Sequence, residues 1–274
     1  MTFFQSIILG IVQGLTEFLP ISSTAHLRLV PHWLDWGDPG AAYSAAIQLG
    51  TLAAVFVYFA RDIGRLVLAA LDGLRYRDLA RTPESVVAWA IVPGSVPIVV
   101  LGLGFRDFIE TEARSLWIIG AALIALALLL LLAEWLGLRN RTITDVGFWR
   151  IQFIGLCQAL ALIPGCSRSG STIMGGLLVG LRRDEAARFS FLLGLPAIGG
   201  SGLLQLVELW RLDTTSQDLW SLAAGIAAAA VSGYLTIGFL IRFLERHGTY
   251  WFVLYRVALG GLVLYSAWQA LAPA

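Results

Sequence analysis

Glu17 stands in an apolar run, Gln13 lies four residues before it, and Ser22, Ser23, Thr24 and His26 follow across Pro20. A carboxylate near a bilayer centre costs on the order of 2.5 to 3.5 kcal/mol on insertion scales, so Glu17 needs a partner or a task. Residues four apart share a helix face. Gln13 and Glu17 would therefore offer two oxygen ligands to a divalent cation, Mg²⁺ first and Ca²⁺ as the alternative, held beside a phosphate. A plain ion pair between Glu17 and an arginine from another helix is the other reading. Ser22, Ser23 and Thr24 have the residue types that cap a helix after a break. His26 adds chemistry, because it falls three residues past Ser23 on one face of a helix starting near Ser22. A Ser–His pair at that spacing supplies a nucleophile or phosphate ligand beside a general acid/base.

A second cluster, "PGCSRSGST" at 164–172, places Ser167, Arg168, Ser169, Ser171 and Thr172 among two glycines. An arginine at bilayer depth, with hydroxyls around it and a helix N-terminus behind it, makes a pocket for phosphate oxygens. Arg168 is also the natural ion partner for Glu17, and the two roles are compatible.

The elements that carry these residues are membrane helices. The chain has 274 residues, 58% hydrophobic and 14% charged, with a mean hydropathy of +0.77. Soluble domains carry about 25% charged residues. Apolar segments near 43–60, 86–104, 115–136, 186–209, 219–241 and 251–271 give six expected spans of the roughly 20 residues a bilayer requires. Two further apolar regions, 3–30 and 148–181, are broken by Pro20 and by Pro164-Gly165. Helix breakers with polar groups at depth indicate re-entrant hairpins.

The expected fold is thus all-α and polytopic, a single membrane domain over 1–274. It holds two copies of hairpin plus three spans, about 1–136 and 148–274. "GIVQGLTEFLPISSTAH" and "GLCQALALIPGCSRSGST" share Gly, two residues, Gln, an apolar stretch, Pro and a hydroxyl cluster. Three spans per half invert the second copy, so the broken helices meet near the midplane.

The arginine-rich loops 61–85 and 137–150 are expected on the cytoplasmic side. The net charge of +1 argues against a nucleic-acid partner, and all 19 basic residues are arginine. Cys157 and Cys166 lack metal-ligand spacing with the three histidines and are read as packing residues. The first apolar stretch lacks a basic leader and a cleavage site, so it is expected to remain in the chain. Arg182, Arg183, Asp184, Glu185 and Arg188 suggest a solvated face, and Glu134, Glu208 and Glu245 sit near water-accessible span ends. Trp33, Trp36, Trp210, Trp220, Trp251 and Trp268 mark membrane boundaries as an aromatic belt.

On these motifs the chain resembles the undecaprenyl-diphosphatase family, bacterial membrane enzymes also known for bacitracin resistance. Gln13 and Glu17 fit its (E/Q)xxxE motif, and Pro20, Ser22, Ser23, Thr24 and His26 fit the following P-x-S-S-T-x-H. Pro164, Gly165, Ser167, Arg168, Ser169 and Thr172 fit its PGxSRSxxT signature. Gln13 takes the neutral option of its motif, and Ala25 stands where glycine is common.

The resemblance implies hydrolysis of undecaprenyl diphosphate to undecaprenyl phosphate and inorganic phosphate, regenerating the lipid carrier for peptidoglycan. It further implies a divalent metal and a pocket facing the periplasm from the bacterial inner membrane. Arg168 with Ser167 and Ser169 would hold the pyrophosphate, with Ser22, Thr24 and Thr172 as further phosphate contacts. Glu17 with Gln13 would position the metal, and Ser23 would attack phosphorus while His26 moves the proton. His26 as nucleophile or water activator stays open, as does the oligomeric state, a homodimer included. A secondary transporter or lipid flippase on the same inverted repeat is the rival reading. The acid-phosphatase-like lipid phosphatases open their signature with a lysine, which this chain lacks.

Overall fold

Pro20 and Pro164 interrupt the two apolar regions that the sequence marks as broken. The computed structural model describes residues 1–211 and 216–269, without the side chains of 41, 110, 205–211 and 216–218. The side chains of Glu208 and Trp210 and the end of the second repeat fall outside the described residues. In the first region α1 (Phe3–Phe18) starts on a capping box between Thr2 and Gln5, and α2 (Ser23–Trp33) restarts after the break on the side chain of Ser22. In the second, α8 (Phe148–Gln158) runs into a 3-10 turn, Ala159–Leu162, and α9 (Arg168–Leu178) restarts on the side chain of Ser167. These helices are 11 to 16 residues long, too short to cross a bilayer alone. Each pair packs on itself as a hairpin.

The remaining helices are α3 (Gly40–Tyr58), α4 (Ala60–Arg75), α5 (Pro83–Gly104), α6 (Arg106–Glu110), α7 (Leu116–Leu136), α10 (Arg183–Arg211), α11 (Ser216–Arg246) and α12 (Tyr250–Gln269). By length and composition, α5, α7, α10, α11 and α12 can each cross a membrane, and α3 with α4, bent by 76°, makes a sixth if the pair is counted as one span. No strand occurs among the described residues; a lone bridge joins Arg141 to Leu181.

The two halves interleave. α1 packs on α11 as α8 packs on α5, α11 packs on α3 as α5 packs on α10, and α7–α12 and α3–α10 pair across the halves. Two close glycine crossings repeat this exchange. A Cβ on Gly10 would fall 2.2 Å from the Gly225 carbonyl oxygen, and one on Gly155 would fall 2.2 Å from that of Gly94. Only glycine lets membrane helices approach so far. At the same sequence offset Gln13 aligns with Gln158 and Ser22 with Ser167. This pattern is compatible with an inverted repeat.

Ion pairs tie the arginine-rich segments together at one end of the bundle. Asp62 pairs with Arg188 at 3.0 Å. Glu134, near the C-terminal end of α7, accepts from Arg139 at 2.9 Å, from Arg183, and from the Thr249 hydroxyl at 2.9 Å. Its side chain has no exposed surface. The sequence placed Glu134 near water, whereas the structure makes it a buried tie between α7, α10 and the start of α12. At the opposite end of α7, Asp38 pairs with Arg28 and Arg114.

Removing one member of a buried charge group leaves the others unpaired, at a cost of about 3 kcal/mol. Glu134→Ala is therefore expected to lower the thermal midpoint in detergent clearly. Asp184→Ala, whose partner Arg182 is half exposed, should leave it nearly unchanged.

Candidate functional site

The two hairpin breaks face each other, and Glu17 lies between them at the end of α1. Its side chain is 5% exposed. Oε1 accepts from Arg168 Nη2 at 2.6 Å. Oε2 accepts from Ser23 Oγ at 2.5 Å and from Gln13 Nε2 at 2.8 Å. One buried carboxylate thus joins the (E/Q)xxxE helix, the first hydroxyl cluster and the arginine of the second. The ion pair and the shared helix face expected from sequence are both present.

Local backbone places these groups. Ser22 and Ser167 each take a positive φ, +76° and +56°, a region unfavourable for residues other than glycine. Each serine then caps its helix by accepting from the N–H three residues on, Ala25 and Gly170. Each also shares a 3.1 Å hydrogen bond with a hydroxyl two residues ahead, Thr24 and Ser169. Ser23 and Arg168 are consequently the first residues of α2 and α9. Two helix N-termini converge on the site, each with unpaired N–H groups and positive end charge suited to anions.

Further bonds lock the breaks together. Ser169 Oγ donates to the Leu19 carbonyl at 3.1 Å, and Gly165 N–H donates to Thr24 Oγ1 at 3.4 Å. Thr172 turns inward, donating to the Arg168 carbonyl at 2.8 Å and sharing a hydrogen bond with Ser190 of α10. Ser171 donates to the Ser167 carbonyl at 2.9 Å. Arg168 also donates from Nη1 to the Gly194 carbonyl at 3.3 Å.

Ser23 and His26, expected as a pair, have separate partners. The hydroxyl of Ser23 goes to Glu17. His26 Nδ1 lies 2.7 Å from the Ser22 carbonyl, and Nε2 lies 2.7 Å from the Tyr255 hydroxyl. Three positions a helix apart share a face, but α2 begins so close to Glu17 that the carboxylate claims Ser23 first.

Sequence reasoning missed three residues. Arg256 on α12 is fully buried and donates to the carbonyls of Leu123 at 3.1 Å, Pro20 at 3.2 Å, Ala122 at 3.4 Å and Gly165 at 2.8 Å. Pro20 and Gly165 sit in the two breaks, so one guanidinium supplies donors where the helices cannot. An arginine inside the expected span 251–271 was itself a readable signal. Tyr255 and Gly194 carried none. A Cβ on Gly194 would lie 2.9 Å from Arg168 Nη1, so the missing side chain makes room for the guanidinium.

No group of three or more His, Cys, Asp or Glu that could hold a metal forms among the described residues. Gln13 Oε1 is buried without a partner. The donor set therefore amounts to one carboxylate and one free amide oxygen. A divalent cation held there would have to take its other ligands from water or a bound molecule. Cys157 and Cys166 are free and buried.

Fold and site together define a multi-pass helical membrane protein with a buried Ser–Glu–Arg centre between two broken helices. The chain belongs to the family described as bacitracin resistance protein BacA, which it matches over residues 6–262. It is 54% identical over 268 residues to a protein of Chlorobium phaeobacteroides named undecaprenyl-diphosphatase, covering 95% of each chain. It is 52% identical to a protein of that name from Chlorobium phaeovibrioides, covering 96% of each chain. With one from Myxococcus xanthus it shares 50% identity, over 96% of this chain and 89% of the relative.

Loss of Arg256 would strand the carbonyls of both breaks. Arg256→Met is expected to destabilise the folded protein by about 3 kcal/mol or more. The check is its thermal midpoint in detergent, with Arg246→Met near the end of α11 as the comparison.

Proposed function

We propose that this protein hydrolyses undecaprenyl diphosphate to undecaprenyl phosphate and inorganic phosphate. The supporting observation is the Ser23–Glu17–Arg168 chain of 2.5 and 2.6 Å contacts between two helix N-termini. The names of relatives about half identical over nearly the whole chain support the same reading. In a bacterial inner membrane, with the pocket facing the periplasm, the reaction returns the lipid carrier to peptidoglycan synthesis. The family's description as bacitracin resistance protein is in keeping with this reading.

The terminal phosphoryl group sits at the N-termini of α2 and α9, where backbone N–H groups and the remaining N–H groups of Arg168 hold its oxygens. Ser23 Oγ attacks the terminal phosphorus and passes its proton to Glu17. The bond from phosphorus to the bridging oxygen breaks, and undecaprenyl phosphate leaves. Water then cleaves the phosphoserine, its hydroxide joining phosphorus and the Ser23 oxygen recovering a proton. Arg168 keeps Glu17 oriented and offsets charge on the phosphoryl oxygens. Gln13 fixes the Glu17 oxygen that faces Ser23. Glu17 and Gln13 Oε1 are the groups that would hold a divalent cation, which supplies charge neutralisation for the diphosphate. The isoprenoid tail stays among the helices and lipid, leaving only the head group in the polar pocket.

Purified protein in detergent is expected to release phosphate from farnesyl diphosphate with Mg²⁺, and EDTA should suppress the release. Ser23→Ala, Glu17→Ala and Arg168→Ala should each lower turnover about a hundredfold or more. His26→Ala should fall less than Ser23→Ala. Retained turnover in Ser23→Ala would exclude the serine as nucleophile. No release from well-folded wild type, in a setting with no membrane to transport across, would favour transport instead. Gly194→Ala should also lower turnover, by about tenfold, and lower the thermal midpoint as well, because the added methyl displaces the Arg168 guanidinium that pairs with Glu17.

A further inference from the structure

The segment 61–85 reads in sequence as an arginine-rich loop, yet most of it is the helix α4. The preceding helix, α3, has no ionisable residue among its 19, and at 1.5 Å per residue it reaches about 28 Å, close to the hydrocarbon thickness of about 30 Å. By contrast, the 16 residues of α4 include Arg61, Asp62, Arg65, Asp72 and Arg75. Continuing the span straight through α4 would carry these charges into hydrocarbon. The chain turns instead, by 76° at Phe59.

Both ends of α4 are fastened to the bundle. Asp62 pairs with Arg188 at 3.0 Å, and the Arg188 guanidinium lies over the Phe59 ring, 5.8 Å from its centre. At the other end Gly73 is buried, and a Cβ there would fall 2.8 Å from Ser85 Oγ of α5, which itself donates to the Leu79 carbonyl at 2.7 Å.

Between these ties the helix has three faces. Ile63 and Leu66 pack against the main core. Val67, Leu71 and Leu74 recur at helical spacing and are each more than half exposed. Arg61, Arg65, Asp72 and Arg75 form the third stripe, with exposed Leu68 where it meets the apolar one. Among the described residues no carboxylate pairs with Arg61, Arg65, Arg75, Arg77 or Arg81. Arg81 lies over the exposed ring of Tyr76, 3.9 Å from its centre.

We propose that α4 lies along the bilayer surface, with Val67, Leu71 and Leu74 in the acyl boundary, and that its arginines gather anionic phospholipid head groups. An exposed apolar stripe beside a charged one suits neither bulk water nor the hydrocarbon centre; it fits the boundary between them. The turn supplies the orientation, because a helix at 76° to a spanning α3 runs nearly in the membrane plane. The charge balance supplies the partner: 61–81 holds five arginines against three aspartates, and Arg188 already takes Asp62. Arginine stems can lie on lipid while their forked donors meet phosphate oxygens. The proposal does not depend on the phosphatase reading.

The test places a thiol-linked fluorophore on Leu71→Cys or Asp72→Cys. Cys157 and Cys166 are buried, and wild type treated with the dye is the blank. The full chain is reconstituted into vesicles of phosphatidylcholine and phosphatidylglycerol, with a nitroxide quencher near the head-group end of the acyl chain of one lipid or the other. Quenching at Leu71 should exceed that at Asp72. Its strength should report a local concentration of phosphatidylglycerol about fivefold that of phosphatidylcholine at equal bulk amounts, the preference given by one arginine near an anionic surface. High salt should bring the two lipids level, as should Arg61→Gln, Arg65→Gln and Arg75→Gln together, with an unchanged thermal midpoint in detergent as the check on folding. The salt arm acts on the native arginines and needs no variant of them.

Equal quenching by the two lipids at low salt would overturn the anionic partner. Quenching by neither lipid would overturn the membrane surface as the occupant, and self-quenching between labels would then put a second copy of the chain on this face. Equal quenching of Leu71 and Asp72 by nitroxides at the acyl-chain ends would show α4 crossing the bilayer, which overturns the proposal as well.

Discussion

The carboxylate of Glu17 is the constraint around which the site is arranged. A charge at that depth is tolerated only when paired and hydrogen-bonded, and Glu17 meets both conditions with groups from both halves of the chain. Arg168 must therefore arrive from the second hairpin, Ser23 from the restart of the first, and Gln13 from one turn earlier on α1. The ion pair fastens the hairpins together at the place where the polar chemistry is gathered. Stability depends on this contact, and in the proposed reaction a phosphate would share Arg168 with the carboxylate that orients the serine.

Broken helices create a second requirement. Each break frees backbone carbonyls and N–H groups that lipid cannot satisfy. The first N–H groups of α2 and α9 lie outside the helix ladder and suit an anion, while the Pro20 and Gly165 carbonyls are taken up by the buried guanidinium of Arg256. The left-handed backbone at Ser22 and Ser167 belongs to the same solution, because it turns each chain sharply enough to restart a helix beside the other hairpin. Local strain at two equivalent serines is offset by caps, by cross-hairpin bonds and by close glycine crossings beneath.

The charges at the two ends of the bundle show how differently two carboxylates can be used. Glu134 reads in sequence as an acid near the end of a span, yet its side chain is fully enclosed by Arg139, Arg183 and Thr249 and ties three helices. Asp38 makes comparable ion pairs at the other end with partly exposed partners. Burial, not the pairing alone, separates a tie that matters from one that screening weakens.

Hydropathy and helix breakers are local properties, which is why the sequence alone determined a helical membrane protein with six spans' worth of apolar chain, two broken regions, and a candidate site in Gln13, Glu17, Ser22, Ser23, Thr24, His26, Ser167, Arg168, Ser169 and Thr172. The partition of hydrogen bonds is not local. Spacing put Ser23 and His26 on one face and suggested that they pair, but it carried no information on the distance from Ser23 to Glu17 across the Pro20 turn. Nor could it bring Tyr255 to His26 across more than two hundred residues, or show that Gly194 clears space for Arg168. Those outcomes follow from the packing of α12 and α10 against the hairpins, and only the tertiary structure decided them, because contacts between helices distant in sequence leave no period or motif along the chain.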